Sequence, residues 1–397
     1  MTERREMLLL LALMLVMFTT IVDFMIMMPL ASYLMADLRI SASQFGLLVS
    51  SYSLAAGVSA LLASSQADRF DRRHALLFCY AGLTIATLLC ALAGSFASLL
   101  AARVVAGVFG GVLGSISLAI VGDVIPLERR GRAMSWVMLG FSLSAVAGVP
   151  LGLWLAAHHG WRLPFHVLAA ACAVLWLVMT RAVPPVRAHL AMAHAQAGWL
   201  QNYRELLTER NHWWAVGLTA LLMVSGFSVI PFIAPTMVAN VGLAPEQLMY
   251  IYLAGGAATI FSRPLIGRLT DRYTPRRVVG WLIVCSFVPI VLVTQTLQVG
   301  LVGQLAISVL FFVFVSGRFI PATTQITAAT LPAMRGRLMA FNSAVQNFAS
   351  GIASLLAGLV LTQDAHGAWH HYGWIGLASC LAGLLAIRVA GKIRTVS

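Results

Sequence analysis

The stretch MLLLLALMLVMFTTIVDFMIMMPLASYL, Met7 to Leu34, decides the fold class, and Asp23 is its only charged side chain. About 20 apolar residues suffice to cross a bilayer. A charge at that depth costs at least ~2.5–3.5 kcal/mol unless it meets a wet cavity or a partner. Taking up a proton removes that cost, because burial favours the neutral acid. A carboxyl that can hold or release a proton in mid-membrane is what a proton-coupled carrier needs. The plainer alternative is a buried Asp satisfied by an Arg or a hydroxyl on a neighbouring helix, with no part in transport. Intramembrane acids are expensive and serve function as a rule, which favours the first reading.

The rest of the chain extends this pattern. Of its 397 residues 60% are apolar and 10% charged, with mean hydropathy +0.89. A soluble domain of this size could not hide so much apolar surface, so the composition specifies a polytopic helical membrane protein. The first helix is too long for the apolar core of a signal peptide and has no small-residue cleavage site near its end, so it is expected to be retained. Cys79, Cys90, Cys172, Cys285 and Cys380 fall within apolar runs without metal-ligand spacing and read as core residues.

The formal charge of +13 does not describe a nucleic-acid binder. The basic residues, all arginines apart from Lys392, form short knots: Arg4/Arg5, Arg69/Arg72/Arg73, Arg129/Arg130/Arg132, Arg272/Arg276/Arg277 and Arg335/Arg337. No continuous basic stripe joins them. The apolar runs predict twelve helices, at 8–33, 44–64, 74–95, 98–124, 134–157, 164–182, 212–236, 247–266, 278–297, 301–327, 338–362 and 373–390. The knots occupy every second loop, while the alternate loops contain only Arg39 and Arg162. The positive-inside rule then puts both termini and the knotted loops in the cytoplasm.

The longest connection, 183–211, opens with Pro184-Pro185 and continues through a possible amphipathic surface helix over 201–210. It separates an expected six-helix bundle, 1–182, from a second, 212–397. The two repeat one another. Ser64-Ser-Gln-Ala-Asp68-Arg69 aligns with Gly267-Arg-Leu-Thr-Asp271-Arg272, Pro126–Arg132 with Pro332–Arg337, and His158-His159-Gly-Trp161 with His370-His371-Tyr-Gly-Trp374. Duplicated six-helix halves are a transporter signature, with the substrate site expected at the midplane between them.

Several residues stand out chemically. Arg103, in Arg103-Val-Val-Ala-Gly107, lies roughly 8 Å along helix 4, and Asp23 roughly 15 Å from the outer end of helix 1, at 1.5 Å per residue. Long side chains at those depths can meet. A nearby cation favours the ionised acid and dehydration the neutral one, so alternation between them would make a proton switch; the alternative for Arg103 is capping of backbone carbonyls. Arg318 on helix 10 is not the repeat of Arg103, which falls on Ser308; it either contacts substrate or pairs with a loop acid such as Asp123. Asn342 and Gln346 share a helix face and either bond a polar substrate or join helices. Phe24, Met27 and Phe227 are candidates for an adaptable apolar lining, although Met and Phe at helical spacing more often face lipid or core. The histidines His158, His159, His366, His370 and His371 lack ligand spacing, and no metal or cofactor is expected. No phosphate-binding loop, serine elbow or metalloprotease helix is present, which argues against a primary pump or hydrolase.

Asp68-Arg69-Phe70-Asp71-Arg72-Arg73 resembles the signature loop of the major facilitator superfamily, G-x-x-x-D-R-x-G-R-R, with Ser64 and Asp71 replacing its two glycines. The second copy begins better, with Gly267 and Asp271-Arg272. Asp68, Arg69, Arg72, Asp271 and Arg272 then form a candidate cytoplasmic gate; the alternative is purely topogenic charge. The helix-4 Arg103, the element Gly148-Val-Pro150-Leu-Gly152 and the following Trp161-Arg162 resemble the drug- and sugar-efflux branch of proton antiporters.

The resemblance implies an all-α membrane protein, two pseudo-symmetric six-helix bundles rocking about a central cavity. It further implies a monomer in a bacterial inner membrane that is no enzyme and takes a small molecule, protons and lipid as partners. Export in exchange for protons, with Asp23 and Arg103 coupling, is the first functional expectation. The substrate set would be Asp23, Phe24, Met27, Arg103, Phe227, Arg318, Asn342 and Gln346. Proton-coupled uptake is the second expectation, and a non-transporting receptor or scaffold the third.

Overall fold

The computed structural model describes residues 3–66, 70–186, 208–331, 334–364 and 367–396, and these are overwhelmingly helical. Among the described residues, eleven segments are long and apolar enough to cross a membrane. The helix Leu248–Arg272 is also 25 residues long but carries Arg263, Arg268, Asp271 and Arg272, which lower its hydropathy. Its position is that of the expected eighth span. The protein is a multi-pass helical membrane protein.

By contact the described residues fall into two compact units, 1–27 with 51–198, and 28–50 with 199–397. In the first unit, α1 (Glu3–Ile26) buries Leu9, Leu13, Val16, Thr20 and Asp23, successive residues three or four apart on one helical face. That face packs on α6 (Leu127–Leu143) and α8 (Arg162–Ala182), and α4 (Arg72–Leu92) packs on α5 (Phe96–Val124) and α8. The core joins Leu13, Val16, Tyr80, Leu83, Leu113, Ile120, Val137 and Leu168.

The start of α5 is fixed by a reciprocal cap. Ser98 N–H donates to Ser95 Oγ at 3.2 Å and Ser95 N–H to Ser98 Oγ at 3.1 Å, which satisfies two otherwise orphaned donors. Further along, Gly107 and Gly111 lie against the backbone of Tyr52 and Ala56 on α3 (Ala42–Gln66); any side chain there would strike main chain. Small residues thus bring α5 close to α3. The glycines of the fifth span act similarly. Gly140 meets the Met14 carbonyl, and Gly148 and Gly152 meet Val22 and Ile26 on α1, with a π turn at Ser144–Gly148 before α7 (Val149–His159).

In the second unit, α9 (Arg210–Phe227) packs on α15 (Arg335–Val360) and α16 (Tyr372–Ala390). The remaining helices are α2 (Ala31–Leu38), α10 (Ile233–Ala239), α11 (Leu248–Arg272), α12 (Pro275–Thr294), α13 (Gly300–Gly317) and α14 (Phe319–Thr327). A two-residue antiparallel hairpin, Thr362–Gln363 with Trp369–His370, follows α15. It is pinned by Asn240, whose side chain donates to Trp369 O at 2.8 Å and accepts from Trp369 N at 2.7 Å.

Three expected continuous spans are interrupted. Helix 1 stops at Ile26, turns through Met27–Leu30, where Pro29 lacks a donor, and resumes at Ala31. Helix 7 stops at Phe227 before Pro231, and helix 10 changes at Arg318. An apolar run reveals length and hides such breaks. Residues 201–207 of the expected surface helix, and His366, lie outside the described residues.

Candidate functional site

Asp23 occupies the last turn of α1 and Arg103 the second turn of α5; both are 0% exposed. One guanidinium nitrogen, Nη1, donates to Asp23 Oδ2 at 3.0 Å and to the Asp23 carbonyl at 3.1 Å. The other carboxylate oxygen, Oδ1, accepts from Thr87 Oγ1 at 2.9 Å. Tyr52 stacks on Arg103, with Cζ 4.5 Å from the ring centroid, and Phe24 lies against Tyr52 at 5.1 Å. A desolvated cation over an aromatic face is worth up to ~2 kcal/mol. The Arg103 Nε has no hydrogen-bond partner.

Thr87 is the informative neighbour. Its hydroxyl carries one hydrogen and lies 2.9 Å from each of two acceptors, Asp23 Oδ1 and the Leu83 carbonyl. With Asp23 ionised, the hydrogen serves the carboxylate. With Asp23 protonated, the acid can donate to Thr87 while the threonine hydrogen turns to Leu83. The site thus accommodates both protonation states without leaving a donor or acceptor of this pair unpaired.

In the second unit, Arg318 sits at the junction of α13 and α14 and is also 0% exposed. Its Nη1 donates to Ser225 Oγ at 3.1 Å and its Nη2 to the Leu222 carbonyl at 3.2 Å, both on α9. Both partners belong to its own unit, and in the first unit Asp123 takes Arg72 at 2.5 Å. Asn342 accepts from Thr219 Oγ1 at 2.6 Å. Thr219, Leu222 and Ser225 recur every three residues on α9, so Asn342 and Arg318 address the same helical face.

The sequence of this chain matches the family model of the Major Facilitator Superfamily over residues 13–236 and again over 215–394. The chain belongs to the Major Facilitator Superfamily. It is therefore a transporter of small molecules and not an enzyme. It is similar to a chloramphenicol resistance protein of Streptomyces lividans, 28% identical over 375 residues, covering 91% of this chain and 90% of that protein. A chloramphenicol efflux pump of Mycobacterium tuberculosis is 29% identical over 238 residues, 60% of this chain and 56% of the pump. Among solved structures, a D-xylose–proton symporter superposes with TM-score 0.76 at 16% identity, covering 98% of this chain and 99% of that one. The last likeness speaks to fold.

The superfamily's signature loop is partly in view, since Asp68 and Arg69 lie outside the described residues. Asp71, in place of a glycine, caps α4 by accepting from Arg73 N at 2.9 Å and ties down Val186 N at 3.2 Å. Arg72 bridges to Asp123 at the end of α5, and Arg73 donates to the Thr180 carbonyl. In the second copy Asp271 and Arg272 are exposed, with Arg272 5.7 Å over the Tyr273 ring. Of the remaining candidates, Met27 is 0% exposed, Phe227 and Gln346 are half-buried, and the Phe227 carbonyl accepts from Ser354 Oγ at 3.2 Å. Sequence reasoning missed Thr87, Tyr52 and Ser225. Each is an uncharged polar or aromatic residue among similar ones in its helix, and the available signal was that Tyr52 lies near the small residues Ala55, Ala56 and Gly57.

Proposed function

We propose that this chain exports a small molecule in exchange for protons by alternating access, with Asp23 carrying the proton and Arg103 as its counter-charge. The observation that carries this is the fully buried Asp23–Arg103 pair. Breaking such a pair costs about 3–5 kcal/mol if the survivor stays charged. Protonation of Asp23 offers a route that separates the two without that penalty. In the export cycle Asp23 binds a proton from outside, its hold on Arg103 weakens, and the proton leaves to the cytoplasm before the pair re-forms.

Phe24, Met27, Phe227, Arg318, Asn342 and Gln346 complete the proposed substrate set. Asp68, Arg69, Arg72, Asp271 and Arg272 form the proposed cytoplasmic gate, in which the Arg72–Asp123 bridge ties two helix ends together. The protein works as a monomer in a bacterial inner membrane, with six-helix bundles at 1–182 and 212–397 and both termini cytoplasmic, as the arginine knots favour. Export is preferred because two relatives bear names for chloramphenicol resistance or efflux.

The test uses inside-out vesicles with an acidic lumen. The reading expects chloramphenicol to accumulate in the lumen and to leak out when the gradient is collapsed. Proton-coupled uptake, which the fold shared with a proton symporter keeps in play, expects accumulation in right-side-out vesicles with an acidic exterior. Accumulation there alone would overturn export.

A further inference from the structure

Arg318 poses a charge problem that the proton site does not solve. It is 0% exposed, and its Nε has no hydrogen-bond partner. Among the described residues it has no carboxylate partner either; it donates to a hydroxyl and a carbonyl. None of the helices supplying its surroundings, α9, α13, α14 and α16, contains an Asp or Glu. The three acids beyond Asn211, namely Glu246, Asp271 and Asp364, lie in a short turn, at a helix end and in the hairpin. Arginine does not escape by releasing its proton. Among the described residues, a cation buried in an apolar span therefore has no carboxylate counter-charge, which is costly in a membrane.

The groups around it include hydroxyls that can donate as well as accept. Ser225 Oγ and Ser379 Oγ are 3.1 Å apart, and Ser379 donates to the Ser225 carbonyl. The hydroxyl of Ser225 can turn toward an incoming acceptor beside the free guanidinium N–H. Both α9 and the α13–α14 pair are interrupted within two residues of this cluster, at Phe227 and at Arg318 itself. Interrupted helices are where membrane transporters place their ion and substrate sites.

We propose that Arg318, with Ser225 and Ser379, is a site for a small monovalent anion, which supplies the missing counter-charge. The anion is either an inorganic halide from the medium or the carboxylate of a transported acid. In the second case the inference rests on the transport reading given above. A guanidinium fork with flanking hydroxyls accepts either, and matches a carboxylate particularly well.

The test is a thermal-unfolding titration of the purified full chain in detergent, beginning without added salt. Sodium chloride, sodium benzoate and uncharged benzamide are added separately to the natural protein and to Arg318→Met. The expected result is a saturable rise of a few degrees with an anion, because a ligand that binds only the folded state stabilises it. That rise should be absent from Arg318→Met and from benzamide. A response to chloride alone assigns an inorganic ion; a response to benzoate alone assigns the carboxylate of a solute. Ser225→Ala keeps the arginine and guards against misfolding of Arg318→Met; it should raise the half-saturating concentration about fivefold, as expected for one lost hydrogen bond. If neither anion stabilises the natural protein more than it does Arg318→Met, the site does not exist. Because no gradient or transported solute is involved, failure of the export reading leaves this result intact.

Discussion

Arg103 and Arg318 are both fully buried arginines in apolar surroundings, yet the two are resolved differently. Arg103 meets a carboxylate at 3.0 Å and an aromatic face at 4.5 Å. Arg318 meets one hydroxyl, one carbonyl and nothing at its third nitrogen. The halves of this transporter therefore repeat in sequence without repeating in chemistry. One unit contains a buried charge pair, and the other a buried cation with no carboxylate partner among the described residues. The repeat offset already pointed this way, since Ser308, not Arg318, aligns with Arg103.

The contrast can be broken by replacing each arginine in turn. Arg103→Met leaves Asp23 buried and alone, so the first unit should lose about 3–5 kcal/mol while that acid stays ionised. Adding Asp23→Asn should recover most of the loss, giving a double mutant no worse than the poorer single mutant. Arg318→Met strands no acid, and in anion-free medium its unfolding midpoint should equal or exceed that of the natural protein. Thermal unfolding of the four proteins reads these effects directly. A large, equal loss for both arginines would erase the distinction. Arg103→Lys should rescue only partly, because an ammonium does not reproduce the fork that reaches both the carboxylate and the carbonyl of Asp23.

A smaller effect is expected at Thr87. Thr87→Val removes the hydroxyl that both states of Asp23 use, as donor to the carboxylate and as acceptor from the neutral acid, at about 1 kcal/mol, whereas Thr87→Ser keeps it. The valine protein should transport with an altered pH profile and the serine protein with the natural one. Identical profiles for valine and threonine would reduce Thr87 to a helix residue bonded to Leu83.

The charged half of this chemistry was legible in the sequence, because a lone Asp23 or Arg103 in an apolar run has few places to go. Their depths along spans 1 and 4 put long side chains within reach of each other. The neutral half was not legible. A threonine in a helix bonds its own backbone by default, and nothing in the apolar run around Thr87 says that it faces Asp23. The stacking of Tyr52 depends on how closely α5 approaches α3, which follows from Gly107 and Gly111 only once the helices are paired. The breaks at Met27–Leu30, at Phe227 and at Arg318 were hidden because apolar content is the same in a broken span as in a straight one. Pro29, Pro231 and Pro321 marked all three, Pro321 lacking the N–H that the Gly317 carbonyl would accept.

The central claim, that Asp23 carries the coupled proton, is tested most directly by following the lumenal pH of inside-out vesicles as chloramphenicol is added. The natural protein should dissipate the acidic gradient as solute enters. Asp23→Asn, present at the same level in the membrane, should leave the gradient as protein-free vesicles do. Gradient dissipation by Asp23→Asn at the natural rate would contradict the account and put the proton on another group.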